Sequence, residues 1–464
     1  MNQSIIAQST PNGHGALALI RLSGADAVVL AQKIAFFPSS KKLTDQKSLT
    51  IHYGWIIDEQ NNKVDQVLFL LMRAPHTFTG EDTVEITCHN NPFIIQSIIA
   101  QAVRQGARIA QPGEFTRRAF EHKKIDLMQA EAINELLCAQ TETALKKSLA
   151  QLDGSLSCWI HTIEECLVKA YAWSEASFEF LDNEGDFGTT IKQQLEDVEK
   201  IIAQALKTFD VQKQIREGFR IALIGSVNAG KSSLFNRLLA QERSIVTNIA
   251  GTTRDTVEAG LYRNGNHWTL IDTAGLRQTE DIVEQQGIKR SYDEAHRSDI
   301  VILVIDGSRE MTTQEANIYC DLQQKYAQKI IIVKNKEDIS SVIKDVKAEP
   351  KNYIKELEQT HDILKISTIT HLHLNKLEKS IEAKIQELLQ KSDAPFLLNK
   401  RQYTLLQTLQ QQVQALIKML TNEIQYELVS YHLREALEHI SSMTGKTISE
   451  AAMDKVFKEF CVGK

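Results

Sequence analysis

Arg220-Ile-Ala-Leu-Ile-Gly-Ser-Val-Asn-Ala-Gly-Lys-Ser-Ser-Leu-Phe-Asn-Arg-Leu-Leu239 is the stretch that decides the fold. After Arg220, Ile221–Ile224 is a short apolar run of the kind that forms a buried strand. Gly225 to Ser232 then fits G-x-x-x-x-G-K-[ST], and the residues from Lys231 on read as a helix. Strand, glycine-rich turn and helix in that order aim backbone amides at an anion, and the helix N-terminus favours negative charge. In such a loop Lys231 neutralises the β and γ phosphates of a nucleotide and Ser232 gives an oxygen to Mg2+.

Two segments downstream extend this reading. Asp272-Thr-Ala-Gly275 follows the strand-like His267-Trp-Thr-Leu-Ile271, so Asp272 is placed to hold Mg2+ through water and the Gly275 amide to sense a γ-phosphate. Asn335-Lys-Glu-Asp338 follows Lys329-Ile-Ile-Ile-Val333, and a carboxylate there accepts from guanine N1 and N2. Order and spacing predict a guanine-nucleotide domain, with its ligands at the carboxyl ends of parallel strands. The last guanine loop, Ile366-Ser-Thr368, ends the right strand but lacks the usual Ser-Ala-Lys triplet. Hydrolysis is less legible. Signalling GTPases place a Gln after D-x-x-G to orient water; here that position is Leu276. Either hydrolysis is very slow or another group acts. Glu280, Asp281 and Glu284 lie in the second-switch region and, on the bare sequence, read as a solvated acidic loop. Thr253 has a hydroxyl to offer Mg2+, and Arg254 reads equally as an arginine finger or as a partner of Asp255.

The chain has 464 residues, room for three domains of about 150 residues. Its 53 basic and 59 acidic residues give a net charge of -6, which argues against gripping nucleic acid by bulk charge. The 6 cysteines form no C-x-x-C pair and suit a reducing compartment. Neither a secretory signal nor a membrane span is expected, and the cytoplasm is the expected location. Residues 1–120 alternate strand-like runs (Ala16–Leu22, Ser48–Trp55, Val64–Arg73, Thr83–Cys88) with turns and one helical stretch, Phe93–Arg104: a compact α+β domain. Leu145, Leu149, Leu152, Leu156, Ile160 and Ile163 recur at helical steps, and so do Leu406, Leu409, Val413, Leu416 and Leu420. Between the helical blocks Leu181–Thr190 reads as an acidic loop, and strands at Ile221–Ile224, Trp268–Ile271, Ile300–Ile305 and Ile330–Val333 alternate with helices. The expected fold is therefore multidomain, α+β and α/β. It comprises an N-terminal α+β domain (1–120), a discontinuous helical domain (121–215 and 386–464) and an inserted doubly wound P-loop domain (216–385). Two independent helical domains are the alternative; shared amphipathic composition on both flanks favours the insertion.

Further motifs carry a family resemblance: Ile20-Arg-Leu-Ser-Gly24, Phe78-Thr-Gly-Glu-Asp82, Pro112-Gly-Glu-Phe-Thr116, Asp126-Leu-Met-Gln-Ala-Glu-Ala132, Ala250-Gly-Thr-Thr-Arg-Asp255 and Phe460-Cys-Val-Gly-Lys464. Over its whole length the chain resembles the MnmE (TrmE) tRNA-modification GTPases. The resemblance implies a homodimer that joins an FAD-dependent MnmG-type partner in a heterotetramer. Together they add an aminomethyl or carboxymethylaminomethyl group to carbon 5 of the wobble uridine of certain tRNAs. The one-carbon unit comes from a tetrahydrofolate derivative of the 5-formyl or methylene type, and FAD sits only on the partner. It implies folate contacts at Arg21, Glu81, Lys124 and Lys464. It implies a Ras-like GTPase domain contacting GTP through Asn228, Ala229, Gly230, Lys231, Ser232 and Ser233. Thr247, Asn248, Ile249, Ala250, Gly251, Thr252 and Thr253 join them from the first switch, with Asp272, Thr273, Ala274, Gly275, Asn335, Lys336 and Asp338. Mg2+ falls to Ser232 and Thr253. K+, at Asn228, Thr247, Ile249 and Thr252, takes the place of an arginine finger, and Glu284 becomes the catalytic carboxylate that positions water.

The sequence departs from the family at Val227, usually Pro, at Asn248, usually Asp, and at His14, where Arg is common. Cys461 reads equally as a functional thiol and as a packed small residue, and His371 and His373 read as loop surface. A slow regulatory or ribosome-assembly GTPase is the competing class. It would usually carry a Lys/Arg-rich RNA-binding module, and none is evident. A free-standing folate enzyme is disfavoured by the intact nucleotide motifs.

Overall fold

The computed structural model describes residues 3–38, 42–179, 187–240, 257–273, 283–340, 363–390, 396–421, 424–458 and 460–463, with the backbone alone for 178, 179, 210, 211, 213, 257, 283–288, 290, 340 and 390. The chain folds into two compact units. One comprises Met1–Asn134, Leu149–Lys200 and Thr404–Lys464, the other Glu135–Ser148 and Ile201–Tyr403.

The first unit opens with a seven-stranded sheet: β1 (Ile5–Gln8), β2 (Leu17–Ser23), β3 (Ala35–Phe36), β4 (Thr50–Ile57), β5 (Lys63–Met72), β6 (Thr83–His89) and β7 (Arg108–Ile109), in the order β3-β4-β5-β6-β2-β1-β7. Strand alternation sends Ile20, Leu22, Phe69, Leu71, Val84 and Ile86 to one face, where they pack with Val28 and Leu30 of helix Ala27–Lys33 and Ile95 and Ile98 of helix Pro92–Arg104. On the opposite face, Ile5 and Ala7 of β1 meet Phe115 of helix Glu114–Glu121. The same face stays open further along, where Ile51, Tyr53 and Leu68 are exposed. The four long strands expected from sequence are all present. The short β1, β3 and β7 and the helices Ala27–Lys33 and Glu114–Glu121 were not expected.

The helical part of this unit pairs Ser155–Glu179 with Tyr426–Thr444. A buried Ser174–Ser430 hydroxyl contact of 2.8 Å closes the seam. Two expectations change. The run from Leu145 to Ile163 is two helices, Glu142–Leu152 and Ser155–Glu179, separated by a turn at Asp153-Gly154. Leu145 and Leu149 are exposed, whereas Leu156, Ile160 and Ile163 are buried. The acidic stretch Leu181–Thr190 is not all loop, because helix Phe187–Lys207 takes its last four residues.

The second unit is built on β8 (Phe219–Gly225), β9 (Val257–Arg263), β10 (Asn266–Asp272), β11 (Ile300–Asp306), β12 (Ile330–Asn335) and β13 (Leu364–Lys365), in the order β13-β12-β11-β8-β10-β9. All neighbours run parallel except β9, which lies antiparallel on β10. Every residue of β10 and β11 is buried, as a sheet covered on both faces requires. Helices Lys231–Ala240 and Leu374–Gln390 cover one face through Leu234, Leu238, Leu377 and Ile381. Tyr319 and Leu322 of helix Thr313–Tyr326 and Ala295 of helix Val283–Arg297 cover the other. The protein is thus multidomain, α+β and α/β, with the helix-covered parallel sheet expected of a doubly wound P-loop fold. Ile302 lies fully buried in β11. Ile302→Ala is expected to cost about 2–5 kcal/mol, read as a lowered urea midpoint; a loss below about 1 kcal/mol would contradict this account of the core.

Candidate functional site

Three strand ends of the second unit, those of β8, β10 and β12, converge with the 366–368 loop. β8 runs into the loop Ser226–Gly230, and Asn228 there adopts the left-handed conformation at φ 63°. Gly230 sits at φ 93°, and a Cβ on it would lie 2.2 Å from Asn335 Nδ2, so only glycine fits. Lys231, 5% exposed, donates from Nζ to the carbonyls of Gly225 at 2.8 Å and Ser226 at 2.7 Å. Burial pulls its ammonium below the ordinary value, an effect that the Asp272 carboxylate partly offsets. The lysine is thus bent over its own loop, where a phosphate is the partner its charge demands. Asn228, Ser232 and Ser233 are exposed and Ala229 is buried.

β10 ends at Asp272, which is buried, and Thr273 follows with its hydroxyl donating to the Leu223 carbonyl at 2.8 Å. A serine hydroxyl at the first turn of a helix and a carboxylate at a neighbouring strand end are hard oxygen donors. Together with phosphate oxygens, Ser232 and Asp272 suit Mg2+. Among the described residues no group of three or more His, Cys, Asp or Glu is arranged to hold a metal without such help. β12 ends at Asn335, which is fully buried and donates from Nδ2 to the Ala229 carbonyl at 3.0 Å. Its Oδ1 accepts from the Thr368 amide at 3.3 Å. The loop 366–368 therefore engages the guanine motif through backbone, although its side chains are unusual. Lys336 and Asp338 are half-buried beside it. His371 and His373 are exposed, as expected of loop surface.

Thr247, Asn248, Ile249, Ala250, Gly251, Thr252, Thr253, Ala274 and Gly275 lie outside the described residues. Glu284 belongs to helix Val283–Arg297, and its side chain is outside them too.

A second charged cluster lies on the face of the first unit's sheet that is covered by helix Glu114–Glu121. Arg21 pairs with Glu85 (2.8 Å) and lies between the rings of Phe78 and Phe115, 5.7 and 5.6 Å from their centroids. Glu81 accepts from Ser23 Oγ at 3.0 Å and, through both oxygens, from Arg118 Nη1 at 3.0 and 2.9 Å. Arg118, 2% exposed, also reaches Glu114 at 3.0 Å. Burial pushes the Glu114 carboxyl up, but bonds from Arg108, the Gln111 amide and Arg118 outweigh it and leave it below its ordinary value. The structure thus brings Arg21 and Glu81 onto one face. Lys124 is exposed and donates to the Pro75 carbonyl at 2.7 Å. Lys464 is outside the described residues, but Gly463 accepts from Ser9 Oγ at 3.0 Å, next to β1. Cys461 is exposed, which removes the reading of a packed thiol. Aromatic rings, a guanidinium and a carboxylate suit a flat heteroaromatic ligand with N–H donors and an anionic tail, as a folate is. Sequence reasoning missed Arg118; the i,i+4 pair Glu114/Arg118 flanking the apolar Phe115 was the available signal.

Family models place these features. The model described as "MnmE helical domain" matches residues 127–461, and that described as "GTP-binding protein TrmE N-terminus" matches residues 4–124. The tRNA modification GTPase MnmE of Enterococcus faecalis is 37% identical over 99% of this chain and 98% of its own length. That of Aquifex aeolicus is 37% identical over 100% of both chains. The chain belongs to the MnmE family. As an MnmE-type tRNA-modification GTPase it is an enzyme, a GTP hydrolase. The crystal structure of the G domain of the T. maritima FeoB iron transporter is 26% identical over 36% of this chain and 99% of that one. Its TM-score of 0.27 adds nothing to the assignment.

Two outcomes follow for this MnmE-family chain. Arg118→Leu leaves Glu81 and Glu114 without their shared cation and is expected to cost about 3–5 kcal/mol, measured by urea unfolding; a cost under about 1 kcal/mol would mean that the carboxylates do not depend on it. In the second unit, Arg309 Nη1 bonds Glu315 at 3.0 Å, and Glu315 also accepts from the Thr312 amide at 2.9 Å. The Arg309 bond, against burial, lowers the Glu315 carboxyl from an ordinary value of 4.5 to about 2. A depressed carboxylate stabilises above its unfolded value and loses that contribution as pH falls through its folded one. The stability difference between wild type and Glu315→Gln should therefore be full at pH 6 and shrink between 4.5 and about 2; a pH-independent difference would refute the assignment.

Proposed function

We propose that the chain hydrolyses GTP in a pair of G domains and serves, with an FAD-dependent MnmG-type partner in a heterotetramer, to modify carbon 5 of the wobble uridine of certain tRNAs in the cytoplasm. The observation that carries this reading is the buried Asn335 clasp between phosphate loop and guanine loop, in a chain that matches MnmE relatives end to end. We take residues 216–385 as the G domain, 1–120 as the folate and dimerisation domain, and 121–215 with 386–464 as the helical domain.

Lys231 exchanges its two loop carbonyls for phosphate oxygens. Ser232 and Thr253 hold Mg2+, which neutralises phosphate charge. Asn228, Thr247, Ile249 and Thr252 hold K+, whose charge stands in for that of an arginine finger. Leu276 cannot bond water, and the family resemblance puts Glu284 at the carboxylate that orients the attacking water. Asn335, Lys336 and Asp338 hold the guanine, and the remaining P-loop, first-switch and Asp272–Gly275 positions line the phosphates. Arg21, Glu81, Lys124 and Lys464 hold a 5-formyl- or methylene-type tetrahydrofolate, which supplies the one-carbon unit. The exposed Ile51, Tyr53 and Leu68 continue the sheet face that bears Arg21, and a second copy of the chain is the partner proposed for that apolar strip.

The test is steady-state GTP hydrolysis in KCl and in NaCl at equal ionic strength. Activation by K+ of at least about tenfold is expected, worth roughly 1.4 kcal/mol of barrier. Equal rates in the two salts would overturn the K+ assignment and favour the slow regulatory reading.

A further inference from the structure

The loop that follows β11, from Asp306 to Thr312, and the helix Thr313–Tyr326 behind it belong to none of the motifs that bind phosphate, Mg2+ or guanine. Their side chains nevertheless reach both ends of the nucleotide site. Toward the guanine motif, Lys336 Nζ donates to Asp306 Oδ2 at 2.7 Å, and the Gly307 amide donates to the Asn335 carbonyl at 2.9 Å. The approach is tight: a Cβ on Gly307 would lie 2.5 Å from that carbonyl oxygen. Toward the phosphate loop, the Ser226 amide donates to Tyr319 Oη at 2.8 Å, and Arg309 Nη2 donates to Ser226 Oγ at 3.2 Å.

The middle of the segment is cross-linked as well. Asp306 Oδ1 accepts from the Ser308 amide at 2.9 Å and from its hydroxyl at 2.6 Å. Arg309 Nε lies 3.8 Å from Asp306 Oδ2 while the same guanidinium pairs with Glu315. Glu315 closes a capping box with Thr312 at the start of the helix, and Tyr319 stands one turn further on. A continuous chain of hydrogen bonds and ion pairs therefore runs from Lys336 through Asp306 and Arg309 to Ser226, with Glu315 holding Arg309 in place and Tyr319 as a second arm. The Asp306 side chain is 5% exposed, so its charge interacts in a poorly solvated place.

We propose that Asp306, Arg309 and Tyr319 are positioning residues that brace the phosphate loop against the guanine-reading loop and so govern how long a guanine nucleotide stays bound. They lie outside the phosphate, Mg2+ and guanine motifs. Asp306 ties down the ammonium of Lys336, which stands between the base-reading Asn335 and Asp338, and so fixes the turn that presents Asp338. Tyr319 and Arg309 fix Ser226, two residues before Asn228. The two arms thus predict different consequences: loss of the Asp306 arm loosens base recognition, and loss of the Tyr319 arm loosens phosphate binding whatever the base. The inference rests on guanine-nucleotide binding alone and is independent of K+ and folate.

The full-length chain is loaded with fluorescent GDP or fluorescent inosine diphosphate, and dissociation is followed after an unlabelled chase. Hypoxanthine keeps N1–H but lacks the 2-amino group that Asp338 reads. Asp306→Asn keeps the shape and the Ser308 bonds but turns an amide N–H2 toward the Lys336 ammonium. GDP release is expected to quicken about tenfold, the loss of one bond to a charged group, while inosine diphosphate release changes less, so that the preference for guanine shrinks. Tyr319→Phe should quicken release of both nucleotides equally. Arg309→Met, at an exposed position, should quicken both as well in variants shown by urea unfolding to remain folded, and Arg309→Lys should restore part of the wild-type rate. For all variants KM for GTP should rise with kcat changed less than about twofold. Unchanged release from Asp306→Asn and Arg309→Met, with wild type holding GDP, would sink the brace and leave the GTPase reading standing. Wild type that holds neither nucleotide would sink both. Equal quickening of both nucleotides by Asp306→Asn would remove its role in base recognition.

Discussion

Asn335 has no access to solvent, so its amide must find partners within the protein or incur the cost of an unmade bond. It finds them on two separate loops, giving Nδ2–H to Ala229 and taking the Thr368 amide on Oδ1. That one side chain orders the nucleotide unit. It requires glycine at 230, because any Cβ there would enter its space. It also requires β12 to stop where it does, since the next residue, Lys336, turns to φ 65°. The phosphate loop, the guanine motif and the atypical 366–368 loop are therefore one assembly, tied together through Asn335.

The first unit solves a different problem. Its sheet is dry on one face, where helices Ala27–Lys33 and Pro92–Arg104 complete the core, and mixed on the other. There Arg118 and Glu114 are buried charges, tolerable only because each is paired and hydrogen-bonded. The pairing leaves Glu81 fixed by Arg118 and Ser23, and Arg21 fixed by Glu85 between two aromatic rings. A surface so arranged loses little side-chain freedom when a ligand arrives, which is the advantage of a pre-ordered site.

What the sequence disclosed and what it hid divide along one line. The central strands β8, β10, β11 and β12 were legible because a parallel strand buried on both faces is an unbroken apolar run. β9, Val-Glu-Ala-Gly-Leu-Tyr-Arg at the sheet edge, mixes polar and apolar residues and escaped notice. The phosphate and guanine motifs were legible because their chemistry is written in consecutive residues. The partners of those residues were not. Arg118 lies 37 positions from Glu81, and Arg309 lies 83 from Ser226; no spacing rule connects them. Leu145 and Leu149 kept the helical period yet face solvent, since periodicity tells which residues share a side and not whether that side is covered.

The helical seam joins residues that are very far apart in the chain: Ser174 and Ser430 are separated by 256 positions. Contacts of such high sequence separation close last, because the chain entropy of the loop must be overcome before the packing is gained. During synthesis the whole of Ile201–Tyr403 emerges before Tyr426 exists. Domains fold as units as they emerge, so the nucleotide unit has its sheet complete while the buried Ile160, Ile163 and Leu167 of helix Ser155–Glu179 still await helix Tyr426–Thr444. The part of the apolar stripe of helix Ser155–Glu179 that helix Tyr426–Thr444 covers therefore waits for the last tenth or so of the chain, and this interval is one in which the chain needs protection from aggregation.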